Sequence, residues 1–197
     1  MKELGKLTGT ISLPPLWSLG FHQCRYSYYP DTRVKSLADS MRIKNIPCDV
    51  IWMDIDYMQD FRIFTFDSTG FSNPNETNDY LHKNNFKSVW MIDPGIKAEE
   101  GYFVYDSGEK IDAWIKNSND SVFIGKVWPG DCVFPDFTQS KVSNWWGSLY
   151  KNFMSTGIDG VWNDMNEPAV FETSDWTMPD SNKHKGDEKI ENDIHLR

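Results

Sequence analysis

Hydrophobic positions along the chain form short strand-like runs that alternate with stretches of helical spacing. Near the amino terminus, Trp17, Leu19 and Phe21 occupy alternate positions, which predicts a strand with one buried face. Three later runs are almost continuously apolar, namely Cys48–Met53, Ser88–Ile92 and Ile158–Trp162. Because continuous apolar runs are typical of parallel strands covered on both faces, we predict four strands in a parallel sheet.

Three stretches with helical spacing separate these strands. The first helix is predicted to begin at Asp31, and the second to run from about Asn75 to Asn85. The third is predicted to begin at Thr138, with Gly157 as its stop signal. The first and third carry apolar stripes, formed by Val34, Leu37, Ala38 and Met41 and by Val142, Trp145, Trp146, Leu149, Tyr150 and Phe153. Alternating strands and helices predict an α/β fold of successive βα units.

A long segment rich in Gly, Asp and aromatic residues, residues 97–137, interrupts this pattern after the third strand. It is too long for an ordinary βα loop, and insertions of this length are usually functional. Within it, residues 121–128 predict a strand of a small hairpin that holds Trp128 over the end of the sheet. After Phe171 the chain is polar and lacks periodicity, which predicts a loop or tail over residues 172–197.

Carboxylates follow each of the last three predicted strands. Asp54 and Asp56 come after the second strand, Asp93 after the third, and Asp164 and Glu167 after the fourth. In a (β/α) barrel the carboxyl ends of the strands meet at one face, where catalytic groups lie. A single Asp in this position is also a common helix cap or turn residue, but three in register favour one shared site.

Carboxylates gathered in one pocket repel each other, so the arrangement has an electrostatic cost that folding alone does not require. Glycoside hydrolysis does require it, because one carboxylate attacks the sugar while a second carboxyl protonates the leaving group. Trp52, Trp128 and Trp162 flank these carboxylates in the sequence and offer apolar faces to a sugar ring.

Asp54 and Asp56 also allow a metal-binding interpretation, because Asp-x-Asp occurs in calcium loops and in metal-assisted transfer. The calcium-loop pattern fails at Met58, Gln59 and Thr65, and residues i and i+2 of a strand share a face without any ion. His22 is a further possible ligand or base, although a lone histidine is more often an ordinary polar core group. We expect no metal and no cofactor.

Composition limits the partners of the chain. The net charge of −9 without clustered Lys or Arg argues against nucleic acid, and no apolar run approaches the roughly 18 residues of a membrane span. No secretory signal is recognisable in residues 1–10. Cys24, Cys48 and Cys132 form no CxxC pair and favour a reduced, intracellular setting, while the sequons at Asn75 and Asn119 are interpreted as chance matches.

The segment Gly160–Pro168, with the sequence GVWNDMNEP, resembles the nucleophile signature of glycoside hydrolase family 31. Other segments are similar to the family in the same order: Trp17–Cys24, Trp52–Tyr57, Ile92–Gly95, Gly125–Gly130 and Phe134–Phe137. The resemblance covers residues 8–171, and within the family it is strongest to the plant α-glucosidases of heteroglycan or neutral type.

This resemblance implies that residues 1–171 form the N-terminal half of a TIM (β/α)8 catalytic barrel. The half comprises roughly the first four βα units, with the long insertion after the third strand and a polar tail at residues 172–197. The implied activity is that of a retaining α-glucosidase, which releases glucose from the non-reducing ends of α-linked oligosaccharides or glucans.

The resemblance also implies roles for individual residues. Asp164 is the expected nucleophile, Glu167 its support, and Asp54 the ligand of sugar hydroxyls. The expected lining of the glucose site consists of Met91, Ile92, Asp93, Trp128, Trp162 and Met165. The family's acid/base aspartate has no match in these 197 residues, so we expect the isolated chain to be inactive. A sugar-binding module without catalysis and a metal-dependent glycosyltransferase using Asp54 and Asp56 remain alternatives.

Overall fold

The computed structural model describes residues 2–186. The helices are α1 Lys2–Thr8, α2 Asp31–Ile43, α3 Pro74–Lys83, α4 Phe103–Glu109 and α5 Ser140–Met154. The strands are β1 His22–Gln23, β2 Val50–Met53, β3 Lys87–Ile92, β4 Ile96–Lys97, β5 Gly125–Val127, β6 Gly130–Val133 and β7 Gly160–Asn163. Short 3-10 helices span Leu16–Leu19, Ile55–Tyr57 and Gln59–Phe61. Residues 187–197 of the predicted tail lie outside the described residues.

The main sheet has the order β1-β2-β3-β7, and each neighbouring pair is parallel. Met53 pairs with Trp90, and Ile92 pairs with Asn163, so the carboxyl ends of β2, β3 and β7 lie side by side. Parallel neighbours need crossover connections, and α2, α3 and α5 occupy those connections. The predicted α/β fold of successive βα units is confirmed.

The three long helices form close to their predicted positions. In α2 the residues Val34, Ala38 and Met41 are buried, so the predicted stripe faces the core. The N-cap of α3 is Asn73, whose Oδ1 accepts a hydrogen bond from the Glu76 N–H (3.2 Å). After α5 the backbone of Gly157 adopts a φ of +92°, a left-handed conformation that suits glycine at a helix end.

The first predicted strand is wrong in its position. Trp17 and Leu19 belong to a 3-10 helix, and the strand that pairs with β2 is only His22–Gln23. Pro14 and Pro15 lack the N–H that a strand ladder needs. The next donors are used locally, since the Ser18 N–H donates to the Pro15 carbonyl (3.0 Å) and that of Gly20 to the Trp17 carbonyl (3.3 Å). The apolar alternation therefore occurs in a turn.

A polar network holds the amino ends of β3 and β7 together. The carboxylate of Asp159, just before β7, accepts hydrogen bonds from Lys87 Nζ (2.7 Å) and the Ser88 N–H (2.9 Å) and contacts His82 Nε2 (2.7 Å). Oδ1 of Asn78 in α3 accepts a hydrogen bond from Ser88 Oγ (2.7 Å). The network fixes the register of the sheet at the end opposite to the predicted site.

The insertion forms a second, antiparallel sheet with the order β4-β6-β5. Its β5 and β6 make the predicted hairpin, with a first strand shorter than residues 121–128 and with Trp128 at the turn. A separate small core lies under this sheet and consists of Ile115, Phe123, Val127, Cys132, Phe134, Val170 and Met178. Residues 172–186 contain no helix or strand. Met178 nevertheless belongs to this core, and the main chain of Lys183 pairs with that of Lys116 in an isolated antiparallel β-bridge.

Candidate active site

Three carboxylates lie at the carboxyl ends of neighbouring parallel strands. Asp54 follows β2, Asp93 follows β3 and Asp164 follows β7. The Asp164 N–H donates to the Ile92 carbonyl (3.1 Å), which extends the β3–β7 ladder to the first residue after the strand. Residues i and i+2 of a strand share a face. The face that carries the carboxylates therefore also carries the residues two positions earlier: Trp52, Met91 and Trp162.

Aromatic side chains form a floor beside the carboxylates. The rings of Trp52 and Trp162 are 5.6 Å apart between centroids and meet edge to face. The Trp52 indole N–H donates to Nδ1 of His22 (3.1 Å), and the two rings are 5.8 Å apart. This bond uses the lone pair that His22 would need at Nδ1 to act as a base or ligand. In this structure His22 orients Trp52.

The carboxylates interact electrostatically. Asp93 is only 4% exposed, and burial raises the pKa of its carboxyl to about 7, with further contributions from the charges of Asp164, Asp54 and Glu167. Burial also raises the pKa of Asp54, and the charges of Asp164 and Asp56 add to that effect. The hydrogen bond from the Ile55 N–H to Asp54 (2.7 Å) opposes it. These contributions are consistent with the neighbouring positions of the groups at the strand ends.

Asp93 is the most confined of these groups. Its Oδ1 is buried and has no hydrogen-bond partner within residues 2–186. A buried carboxyl without partners favours its neutral form, in which it can donate a hydrogen bond. The pocket thus combines a buried carboxyl with a raised pKa, that of Asp93, and the half-buried side chain of Asp164 on the neighbouring strand end.

Tyr57 was not among the residues singled out in the sequence, although it lies next to this site. It is completely buried, and its hydroxyl donates to the Met91 carbonyl at the end of β3. The bond fixes the segment after β2 against the strand that carries Asp93. In the sequence, only the position of Tyr57 three residues after Asp54 suggests that it lies near the site. Nothing in the sequence predicts its hydrogen bond to the Met91 carbonyl.

Some predicted site residues lie at the edge of the cluster or away from it. Strand alternation places Ile92 on the helix-covered face with Trp90, opposite Asp93. Trp128 is 44% exposed, and its ring packs on Phe171 (5.3 Å) and Phe61 (6.3 Å). Glu167 is exposed but close enough to affect Asp93, and Met165 is half-buried against the small core.

The metal-binding alternative gains no geometric support. In the part of the chain that the structure describes, no group of three or more His, Cys, Asp or Glu side chains has an arrangement that could hold a metal ion. Asp54 and Asp56 are near each other, but Asp54 Oδ1 caps the following 3-10 helix through the Ile55 N–H.

Within residues 2–186, no helix is long and apolar enough to cross a membrane.

Comparisons with known proteins agree with this geometry. Residues 11–195 match the family described as "Glycosyl hydrolases family 31 TIM-barrel domain". The chain is 40% identical over 196 residues to Alpha-glucosidase 2 of Bacillus thermoamyloliquefaciens. The matched segment covers 99% of this chain and 25% of that protein.

Solved structures are also similar. The Family 31 alpha-glucosidase from Bacteroides thetaiotaomicron is 54% identical with a TM-score of 0.81, over 86% of this chain and 29% of that one. The glucosidase II alpha subunit in an alpha3-Glc2-bound form is 38% identical with a TM-score of 0.85, over 90% of this chain and 20% of that one. The chain therefore spans less than a third of the length of these relatives. It belongs to glycosyl hydrolase family 31 and forms part of that family's TIM-barrel domain.

Proposed function

We propose that this chain supplies the nucleophile and much of the glucose-binding wall of a retaining α-glucosidase. The substrate is an α-linked oligosaccharide or glucan, from whose non-reducing end glucose is released. The observation that carries the proposal is the position of Asp54, Asp93 and Asp164 at the ends of three adjacent parallel strands, where the charge of Asp164 contributes to the raised pKa of both Asp54 and Asp93. The alpha3-Glc2 held by the similar glucosidase II alpha subunit supports a glucose-containing ligand.

In the proposed first step, a carboxylate oxygen of Asp164 forms a bond to the anomeric carbon. The bond from that carbon to the leaving oxygen breaks, and the leaving oxygen takes a proton from an acid. In the second step water gives a proton to the conjugate base of that acid and attacks the same carbon. The bond from this carbon to Asp164 breaks, which releases glucose and restores the Asp164 carboxylate. Glu167 supports Asp164, whose loop is also held by the hydrogen bond from Asn166 Nδ2 to the Asp164 carbonyl (2.6 Å).

Binding in this proposal depends on the other residues of the pocket. Asp54 accepts hydrogen bonds from glucose hydroxyls, while Asp93 in its neutral form donates one. Trp162 and Met165 present apolar surface to the ring, and Trp128 covers it from the hairpin of the insertion. Met91 is buried and supports this surface from β3. Ile92 contributes by shaping the end of β3 from its other face.

The expected activity of the isolated 197 residues differs between two kinds of substrate. With p-nitrophenyl α-glucoside or maltose we expect negligible turnover, because no residue of this sequence matches the family's acid/base aspartate. With 5-fluoro-α-glucosyl fluoride the leaving fluoride needs no proton, and the ring fluorine slows the second step. Attack by Asp164 breaks the C1–F bond, releases fluoride and leaves a covalent fluoroglucosyl ester.

Intact-mass analysis followed by peptide mapping tests the proposal. We expect one fluoroglucosyl group on the peptide that contains Asp164, and protection of that residue by added glucose. Labelling of a different carboxylate would refute the assignment of the nucleophile. Thermal stabilisation by glucose without any labelling would favour the sugar-binding module instead, and a requirement for added Mn²⁺ would favour the transferase.

A further inference from the structure

Asp136 is a buried carboxylate that the proposed chemistry does not use. It is 1% exposed and lies near the end of the insertion, a few residues before α5. It accepts hydrogen bonds from the Thr138 N–H (3.2 Å) and hydroxyl (2.5 Å) and from Gln139 Nε2 (2.9 Å). Burial alone would raise the pKa of Asp136, but the hydrogen bonds around it outweigh burial and hold that pKa well below its usual range. Asp136 is therefore ionised at every ordinary pH.

The same carboxylate binds a segment nearly fifty residues further along the chain. The Lys185 N–H donates to Asp136 Oδ2 (2.6 Å), and Nδ1 of His184 lies 3.2 Å from Oδ1. Nearby, the main chains of Lys183 and Lys116 exchange hydrogen bonds of 2.7 and 3.2 Å. Residues 183–185 are thus fixed to the insertion, with Asp136 at the centre of the attachment.

This attachment closes the loop that begins at the proposed nucleophile. Between Asp164 and His184 the loop folds back on itself, since Thr177 Oγ1 donates to the Pro168 carbonyl (2.9 Å) and the Ala169 N–H to the Met165 carbonyl (3.1 Å). One end of the loop is held by β7 and the other by Asp136. The hydrogen bond from the Phe171 N–H to the Lys126 carbonyl (2.7 Å) is a further attachment in the middle of the loop.

A cavity of about 310 Å³ lies between the two ends of this loop. Its walls include Pro135 and Phe137, which flank Asp136, and Asn166 and Pro168, which follow Asp164. His184 completes the wall. Because this space provides no packing contacts to the Asn166–Pro168 segment on that side, the position of the segment depends more strongly on the hydrogen bonds that hold the loop.

We propose that Asp136 is a positioning residue, which anchors residues 183–185 and thereby holds the loop of Asp164 in the geometry needed for attack on the anomeric carbon. This inference rests on the proposed function for its catalytic part. Asp136 touches neither the sugar nor the reacting atoms.

The test compares Asp136→Asn with Asp131→Asn, an exposed carboxylate on β6 of the same insertion. Limited trypsin digestion measures cleavage after Lys183 and Lys185, with cleavage after Lys151 on α5 as an internal reference for global unfolding. We expect Asp136→Asn to accelerate the first two cleavages about tenfold while cleavage at Lys151 stays unchanged. Asp131→Asn is expected to resemble the wild type.

The second readout is the labelling of Asp164 by the fluoroglucosyl fluoride. In Asp136→Asn we expect the rate of labelling at saturating reagent to fall about tenfold, while the reagent concentration that gives half of this rate changes little. The reason is that the substitution disturbs the geometry of attack by Asp164 and leaves the contacts to the sugar in place. Unchanged proteolysis would overturn the anchor, and faster proteolysis with unchanged labelling would overturn the positioning role. If the wild type is not labelled, the proposed function fails together with that role, and proteolysis alone then decides the anchor.

Discussion

Asp164→Asn is expected to leave the chain folded and to reduce its labelling by 5-fluoro-α-glucosyl fluoride at least about a thousandfold. The amide has nearly the shape of the carboxylate but lacks its negative charge and nucleophilic oxygen. Because Asp164 is half-buried and follows β7 rather than lying in the core, the substitution removes little packing. The rate of mass increase, followed by mass spectrometry, measures the effect directly.

The matched control for this prediction is Asp175→Asn, which changes an exposed carboxylate of the same loop. We expect this variant to be labelled at the wild-type rate. Removal of the charge of Asp164 also lowers the repulsion felt by Asp93, so Asp164→Asn is expected to be at least as stable as the wild type. Retention of labelling in Asp164→Asn would transfer the role of nucleophile to another residue.

Trp90→Ala is expected to have the largest effect on stability, lowering the free energy of unfolding by about 3–5 kcal/mol. The side chain is completely buried on the helix-covered face of β3. Its ring packs edge to face against Tyr57 (4.8 Å between centroids) and Phe66 (5.6 Å), and its indole N–H donates to Asn78 Oδ1 (3.2 Å). The substitution leaves a large cavity where the sheet contacts α3 and α5.

Urea unfolding followed by circular dichroism measures this loss. The control is Trp176→Ala, in which an indole that is 67% exposed is removed, and we expect a change within about 0.5 kcal/mol. A loss below about 1 kcal/mol in Trp90→Ala would show that the sheet and the helices do not pack as described. Such a result would also weaken the site, because Tyr57 bridges this core and the end of β3.

Much of the fold follows from local sequence patterns. The strands β2, β3 and β7 are continuous apolar runs that end in aspartate, and both features arise because a parallel strand is covered on two faces and opens at its carboxyl end. The prediction of the first strand is wrong because apolar alternation does not reveal that the N–H groups of Ser18 and Gly20 form hydrogen bonds within a local turn. The helices α2 and α5 are predictable because their apolar stripes pack against the core, although in α5 only Val142 and Phe153 are fully buried.

The candidate site was predictable in part. The positions of Asp54, Asp93 and Asp164 follow from strand order, whereas the contacts of Tyr57, Asp136 and Asp159 do not. Asp159 meets Lys87 from 72 positions away, and Asp136 meets Lys185 from 49. No local pattern predicts such pairs. Many lysines and backbone N–H groups could donate to a given carboxylate, and only the folded chain determines which of them lies next to it. The roles of the individual site residues stay predictions.

The raised pKa of Asp93 has a consequence for stability. In the unfolded chain an aspartate titrates near about 3.9, whereas in the folded chain Asp93 titrates at about 7. The folded state therefore binds the extra proton between these two pH values, so the contribution of Asp93 to stability is largest below about pH 4 and declines as pH rises to about 7. The gathering of carboxylates opposes folding at neutral pH.

Titration of the Asp93 carboxyl by carbon-13 NMR, in the wild type and in Asp164→Asn, tests most directly whether these acidic groups share one pocket. The signal is assigned by its absence in Asp93→Asn. We predict a pKa of about 7 in the wild type and a lower pKa once the neighbouring charge of Asp164 is removed. An ordinary pKa near about 4, or one that the substitution leaves unaltered, would contradict the shared site.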